Sequence, residues 1–184
     1  MRPTSPYAAS KAAADLMVQA YIKTHRLPGI VLRGCNNFGP YQYPEKVIPL
    51  FVTNLAEGKK VPLYSRGVNS REWIYVEDTC RGVLLALERS PPGETYNVGS
   101  GFELTNFDLA LMILEEFRRD KSWIAFVADR AAHDLRYHMD SSGFRALGFN
   151  PSADFRAQLR KTIDWYRRNE AWWKPLKQDE YTLK

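Results

Sequence analysis

Apolar residues recur at helical spacing near the start of the chain: Ala8, Ala9, Ala12, Ala13, Leu16, Met17, Ala20 and Tyr21. Ser5 as cap and Pro6 at the first helical position open this helix, which continues to about residue 23 before His25, Pro28 and Gly29 end it. Its apolar positions cover more than the ~100° stripe of a surface helix, so two of its sides are expected to meet protein. Residues 29–33 form a short, nearly all-apolar run of the kind found in strands covered on both faces, and the turn-rich residues 34–40 are expected as a polar loop. The pattern predicts a second helix over 47–56, closed by Gly58-Lys-Lys60, and a weak strand over 61–64. Residues 72–76 read as a strand, after which Glu77 and Asp78 place negative charge at the start of a helix over 79–89. Pro91, Pro92 and Gly93 break the chain before a strand over 95–98. Thr105 or Asn106 caps a helix reaching residue 119, and a last helix runs from about 153 to 168. Helices and strands alternate, which predicts an α/β fold with parallel pairing. There is no internal repeat, low-complexity tract or flexible linker.

Composition narrows the class without naming a chemistry. The 184 residues suffice for one domain or one large lobe with a real core, and 45% hydrophobic against 26% charged residues excludes a largely disordered chain. Lys and Arg outnumber Asp and Glu by 26 to 21. That mild excess suits an anionic small ligand and is too dispersed for nucleic acid. Cys35 and Cys80 stand far apart, with no Cys or His at metal-ligand spacing, so neither a zinc site nor a disulfide framework is expected. A reduced, cytoplasmic compartment is the default expectation. No apolar run approaches the roughly 20 residues of a membrane span, and the first residues lack the apolar core of a secretory signal.

Candidate chemistry begins with Tyr7-Ala-Ala-Ser-Lys11, which puts a phenol and an ammonium one turn apart on one helix face. A free phenol ionises near pH ~10, so a phenol serving as a base near neutrality needs a neighbouring cation. Alone, the pair is equally two polar residues on a surface helix. Its context is more telling, because a buried strand and an Asn-Asn loop follow directly, and open α/β sheets bind ligands at such a carboxyl edge. Asn36, Asn37 and Gly39 could equally be turn residues, and Arg71 beside Glu72 a surface ion pair. His25, His133 and His138 show neither helical metal spacing nor a nucleophile elbow, which argues against a metal site or a hydrolase triad. Gly99-Ser-Gly101-Phe-Glu-Leu104 superficially begins a dinucleotide fingerprint, but Leu104 holds the third glycine position, so it reads as a turn.

Several stretches, in this order, carry a family resemblance: Ser5-Pro-Tyr-Ala-Ala-Ser-Lys11, Asn36-Asn-Phe-Gly-Pro-Tyr-Gln-Tyr-Pro-Glu-Lys-Val-Ile-Pro-Leu50, Arg71-Glu-Trp-Ile-Tyr-Val-Glu-Asp78, Gly93-Glu-Thr-Tyr-Asn-Val-Gly99 and Ala128-Asp-Arg-Ala-Ala-His-Asp134. The chain resembles the C-terminal half of the extended short-chain dehydrogenases/reductases, in the NAD-dependent epimerase/dehydratase family. Within it, the chain is most similar to the dTDP-glucose 4,6-dehydratases. The resemblance implies the C-terminal part of a Rossmann-like doubly wound parallel sheet with a smaller mixed α/β substrate lobe. Residues 1–37 and 72–98 would form the sheet edge, and 38–71 and 99–184 the nucleotide-sugar lobe.

The resemblance further implies that Tyr7 takes the sugar 4-hydroxyl proton as hydride passes from that carbon to NAD. Lys11 would support the phenolate and hydrogen-bond the nicotinamide ribose, with Asn37 also at the cofactor. Asn36, Lys46, Val47, Arg71, Arg130 and His133 would contact a nucleotide diphosphate sugar, Pro62, Tyr64 and Asn106 would frame its base and ribose, and Tyr181 would reach it near the chain end. Phe38 stands where Tyr is usual, and Ala131-Ala132 replaces Pro-Gly before His133. In the family, the glycine-rich NAD turn and a catalytic Thr-Asp-Glu cluster precede the Tyr-x-x-x-Lys helix, so an incomplete enzyme, inactive in isolation, is expected. Family members dimerise through that helix. A nucleotide-sugar epimerase or UDP-glucuronate decarboxylase is the alternative reading, against which Pro44-Glu-Lys46 weighs, and a non-catalytic sugar-nucleotide-binding module is the third.

Overall fold

The computed structural model describes residues 3–128 and 135–177. In chain order the elements are α1 (Pro6–His25), β1 (Val31–Gly34), β2 (Asn36–Phe38), α2 (Val47–Ala56), β3 (Val61–Tyr64), β4 (Ser70–Tyr75), α3 (Val76–Arg89), β5 (Thr95–Val98), β6 (Glu103–Thr105), α4 (Asn106–Glu116), β7 (Ile124–Val127), β8 (Arg136–Tyr137), α5 (Ser142–Ala146), α6 (Phe155–Arg168) and α7 (Glu170–Trp173). Pairing is parallel for β1 with β5, β2 with β4, β3 with β7 and β8 with β4, while β6 joins β4 antiparallel. Among the described residues, no helix is long and apolar enough to cross a membrane.

Local chemistry explains the helix starts. The Ser5 side chain accepts from the Ala8 amide at 3.1 Å with Pro6 next, Thr105 accepts from the Asp108 amide at 3.0 Å, and Asp154 accepts from the Ala157 amide at 2.9 Å. Helix α3 begins at Val76, earlier than its charge pattern predicts, so that Glu77 and Asp78 lie inside its first turn. Helix α4 stops at Glu116, short of residue 119, and Arg118 then takes a left-handed conformation.

Two apolar cores meet at β4, and the strand's two-residue period assigns side chains to them. Trp73 and Tyr75 enter the larger core with Phe38, Ile48, Phe51, Leu109, Ile113, Leu159, Tyr166 and Trp173. Ile74 enters the smaller one with Ala86, Val98, Phe144 and Phe149. Helix α2 is buried from Ile48 to Leu55, which accounts for its nearly continuous apolar sequence.

Three expectations need correction. Residues 34–40 are not wholly a loop: Phe38 is buried, and its backbone pairs with Tyr75, which makes Asn36–Phe38 a strand. The run at 29–33 is not covered on both faces: Val31, Leu32 and Arg33 are only partly buried. Helix α1 has no buried residue; Ala8, Ala12, Asp15, Gln19 and Ile22 form its half-buried face towards β1, while Leu16, Met17 and Tyr21 are exposed. The wide apolar coverage of α1 therefore exceeds what the described residues cover.

Candidate active site

Contacts between α1 and β1 fix where the Tyr-Lys pair lies. A methyl added at Gly29 would stand 3.1 Å from Ile22 Cγ1, whereas at the far end of the strand Arg33 Nη2 and Nε donate to Asp15 Oδ2 at 2.5 and 2.9 Å. Moving from Gly29 to Arg33 along the strand thus means moving back from Ile22 to Asp15 along the helix. The two run antiparallel, so Lys11 and Tyr7, about one and two turns before Asp15, overhang the carboxyl end of β1. Tyr7 is 71% exposed, and Lys11 Nζ stands 5.7 Å from its ring centroid. A phenol and an ammonium on one open face match the hydroxyls of a sugar or a ribose. This donor set fits the NAD and sugar expected from the sequence.

Asn36 and Asn37 continue from this rim into β2. The Asn37 side chain is engaged within the protein: Nδ2 donates to the Cys35 carbonyl at 3.2 Å, and Oδ1 accepts from Thr79 Oγ1 at 2.5 Å. Gln42 Nε2 donates to the Asn37 carbonyl at 2.8 Å, and the Tyr166 hydroxyl donates to the Gln42 carbonyl, tying this loop to α6. Lys46 is exposed and pairs with Glu45 at 2.7 Å, while Val47 packs on the larger core.

A second group gathers around β3, β4 and β6. Pro62 is buried opposite Ala125, and the half-buried Tyr64 ends β3 opposite Val127. The turn Ser65–Gly67 then packs on the start of α4, where a methyl at Gly67 would stand 2.8 Å from the Phe107 amide nitrogen. The Asn106 amide donates to the Asn69 carbonyl at 2.9 Å, and Asn106 Oδ1 is buried with no hydrogen-bond partner, an acceptor suited to a ligand N–H. Tyr64, Asn106 and Arg71 are thereby drawn towards one end of β4.

Arg71 and Glu72 are not a surface ion pair. Both are buried, at 7% and 1% exposure, and alternation along β4 sends them to opposite faces. Glu72 accepts from the Gly101 amide at 2.6 Å and the Met139 amide at 3.1 Å. It also raises the Cys35 thiol, which burial first and this carboxylate second push up to about 12. Arg71 Nη1 donates to the carbonyls of Ser70 and Leu135, and its guanidinium lies over the Tyr137 ring. Sequence reading singled out neither Tyr137 nor Glu103, whose carboxylate binds Arg136 through both oxygens at 2.7 and 2.8 Å. The available signal was the Arg136-Tyr137 pair placed shortly after the Asp-Arg-x-x-His-Asp stretch. Arg130, His133 and Tyr181 lie outside the described residues.

The family model described as "NAD dependent epimerase/dehydratase family" matches residues 1–99. The chain is 50% identical over 176 residues to a dTDP-glucose 4,6-dehydratase of Streptomyces antibioticus, covering 95% of this chain and 52% of that protein. It is 48% identical over 182 residues to the dTDP-glucose 4,6-dehydratase of Streptomyces niveus, covering 98% and 54%. Among solved structures, it matches DesIV, a dTDP-glucose 4,6-dehydratase of Streptomyces venezuelae crystallised with NAD, with a TM-score of 0.93 and 49% identity, over 96% of this chain and 55% of that one. The chain therefore spans about half the length of the curated relatives it matches. With the Tyr-Lys helix, the strand after it and the β4 motif all inside the matched segment, the chain belongs to the NAD dependent epimerase/dehydratase family.

Proposed function

We propose that the chain carries the Tyr-Lys pair and the nucleotide-sugar contacts of a dTDP-glucose 4,6-dehydratase, which converts dTDP-glucose to dTDP-4-keto-6-deoxyglucose. The observation that carries this reading is the exposed Tyr7-Lys11 pair overhanging the carboxyl end of β1. The identity to curated dehydratases and the Pro44-Glu-Lys46 stretch favour dehydration over epimerisation or decarboxylation.

NAD, when bound, supplies the reversible hydride acceptance at C4 that acidifies the C5 hydrogen, lets water leave across C5 and C6, and is reversed at C6. Tyr7 Oη accepts the proton of the 4-hydroxyl, and the Lys11 ammonium stabilises the phenolate and donates to the ribose. Asn36 orients the sugar, while Asn37, bonded to Thr79 and the Cys35 carbonyl, keeps the rim in register beside the cofactor. Arg71 and Lys46 supply positive charge for the diphosphate, together with Arg130 and His133, and Tyr181 is a further substrate contact. Pro62, Tyr64 and the Asn106 carbonyl oxygen frame the base and ribose, beside Val47.

In this reading, residues 1–37 and 72–98 belong to the edge of the NAD-binding sheet and 38–71 and 99–184 to the sugar-nucleotide lobe. The exposed Leu16, Met17 and Tyr21 of α1 meet a second copy of the chain, giving a homodimer, and the protein works in the cytoplasm.

The test incubates the chain with NAD and dTDP-glucose, alone and with the N-terminal half of a matched dehydratase, and follows 4-keto product by its absorbance in alkali. Product in the supplemented reaction supports the proposal. An epimer in its place points to the sister activity, and failure to bind dTDP overturns the reading. Sedimentation of wild type against Leu16→Glu checks the homodimer, with a monomeric variant as the expected result.

A further inference from the structure

Asn36 and Trp73 are partners in the parallel register of β2 and β4, and two residues further on Phe38 pairs with Tyr75. Neighbouring strands stand about 5 Å apart and paired residues share a face, so these four side chains lie on one side of the sheet. It is the side of the larger core: Phe38, Trp73 and Tyr75 are buried there, with the Phe38 ring 6.4 Å from Trp73 in a T-shaped contact and 5.5 Å from Tyr75. Asn36 therefore sets a half-buried carboxamide beside the Trp73 indole.

That indole carries an unmet hydrogen bond. Trp73 is 2% exposed, and its Nε1 is buried with no hydrogen-bond partner among the described residues. A buried donor without an acceptor costs free energy, so it marks a place where an acceptor is wanted. The ring is held where it is: the Trp73 amide donates to the Phe102 carbonyl at 2.9 Å, the Trp73 carbonyl accepts from Ser100 Oγ at 2.5 Å, and the indole abuts Phe38. The acceptor has to come to it. Asn36 can provide one, because its side chain makes no hydrogen bond among the described residues and ends in an acceptor oxygen and a donor nitrogen. A carboxamide with nothing behind it presents either end to a ligand at similar cost. An N–H behind it removes that choice, turning Oδ1 inward and Nδ2 outward.

We propose that Trp73 is a positioning residue for sugar recognition: when the nucleotide sugar binds, the indole N–H donates to Asn36 Oδ1, which aims Asn36 Nδ2 at a hydroxyl oxygen of the sugar. Trp73 acts through Asn36 and touches no ligand atom. The role rests on the nucleotide-sugar reading above, in which Asn36 orients the sugar.

The test titrates the 184-residue chain with dTDP-glucose, and with dTDP as a ligand without the sugar, by calorimetry. Trp73→Phe keeps an aromatic ring in the core and removes the N–H. It should bind dTDP-glucose about three- to tenfold more weakly, with dTDP unchanged. In an Asn36→Ala background, Trp73→Phe should cost nothing further, because the orientation it supplies has no object. Proton–nitrogen spectra give a second readout: the Trp73 indole signal, recognised by its contact with the Phe38 ring, should shift when dTDP-glucose is added to wild type and move far less in Asn36→Ala. Wild-type affinity for dTDP-glucose in Trp73→Phe, an equal loss for dTDP, or additive losses in the double variant would each overturn the role. Should Trp73→Phe melt below the assay temperature, the indole signal decides the matter: no shift with saturating dTDP-glucose, or the same shift in Asn36→Ala, counts against the proposal. If wild type binds neither ligand, the nucleotide-sugar reading fails and takes this role with it.

Discussion

Gly99 stands so close to Glu72 that a methyl on its α-carbon would lie 2.3 Å from Oε1. The carboxylate occupies that space because it caps the turn between β5 and β6, accepting from the Gly101 amide, and reaches the Met139 amide beyond β8. Gly101 itself adopts φ +80°, a left-handed conformation. The glycines that imitate a dinucleotide fingerprint are thus explained by a buried acid. Gly99→Ala should destabilise the chain by about 1–3 kcal/mol, because the buried carboxylate must shift away from its donors. A lowered urea midpoint would show this, and wild-type stability would contradict the account.

The Tyr7-Lys11 pair is exposed, so its removal should leave folding intact while removing chemistry. Tyr7→Phe and Lys11→Met should each lower turnover in the supplemented assay by roughly 10²–10⁴. Their melting temperatures and dTDP affinities should match wild type. A variant that turns over normally would remove that residue from the mechanism.

Helix α1 is tied to β1 at Asp15, which binds Arg33 of the strand and, within the helix, accepts from Gln19 Nε2 at 3.1 Å. Asp15→Ala should therefore loosen this helix selectively, at a cost of roughly 1 kcal/mol or a little more for a partly buried charged contact. Hydrogen exchange should report α1 as the first helix to exchange, and faster still in the variant, while buried α2 stays protected. Equal protection of the two helices would go against this.

The two cysteines should differ sharply in reactivity. Burial, aided by Glu72, pushes the Cys35 thiol up to about 12, so it stays protonated at ordinary assay pH, whereas Cys80 is exposed. Iodoacetamide at about pH 8 should label Cys80 while sparing Cys35 in the folded chain, and both after denaturation. Peptide mapping reads the outcome, and rapid labelling of Cys35 would refute it.

The clasp around β8 should weaken in acid. Hydrogen bonds from Arg136, and then from Ser70, hold the Glu103 carboxyl down to about 2 against an ordinary value of 4.5. Because the folded value lies below the unfolded one, the stabilisation is fully present above 4.5 and is lost as pH falls towards 2. Glu103→Gln should thus be less stable than wild type at neutral pH, and the difference should shrink across that window. Urea midpoints measured along the pH series check it; a constant difference would be inconsistent.

Sequence patterning was most reliable where one element decides its own structure. The Ser5-Pro6 start of α1, the span of α2 at 47–56 and the strands at 61–64 and 95–98 all follow from local spacing and capping. It was least reliable where pairing came from far along the chain. Asn36–Phe38 reads as a turn until Trp73 to Tyr75 supply a ladder, and β8 has no hydrophobic pattern of its own. For the candidate site, Tyr7 and Lys11 were legible because one helix turn joins them, and Arg71 because of its motif. Tyr137 and Glu103 were not, because each acquires meaning only from a residue many positions away.

The order of residues alone determined the alternating α/β plan, the Tyr-x-x-x-Lys pair and the family to which both point, since these depend on short-range periodicity and on residue chemistry. Only the tertiary structure decided that α1 overhangs the carboxyl end of β1, that Arg71 and Glu72 part to opposite faces of β4, and that Tyr137 lies across the guanidinium. The physical reason is that direction and burial arise from contacts closed over long stretches of chain, whose geometry no local pattern encodes.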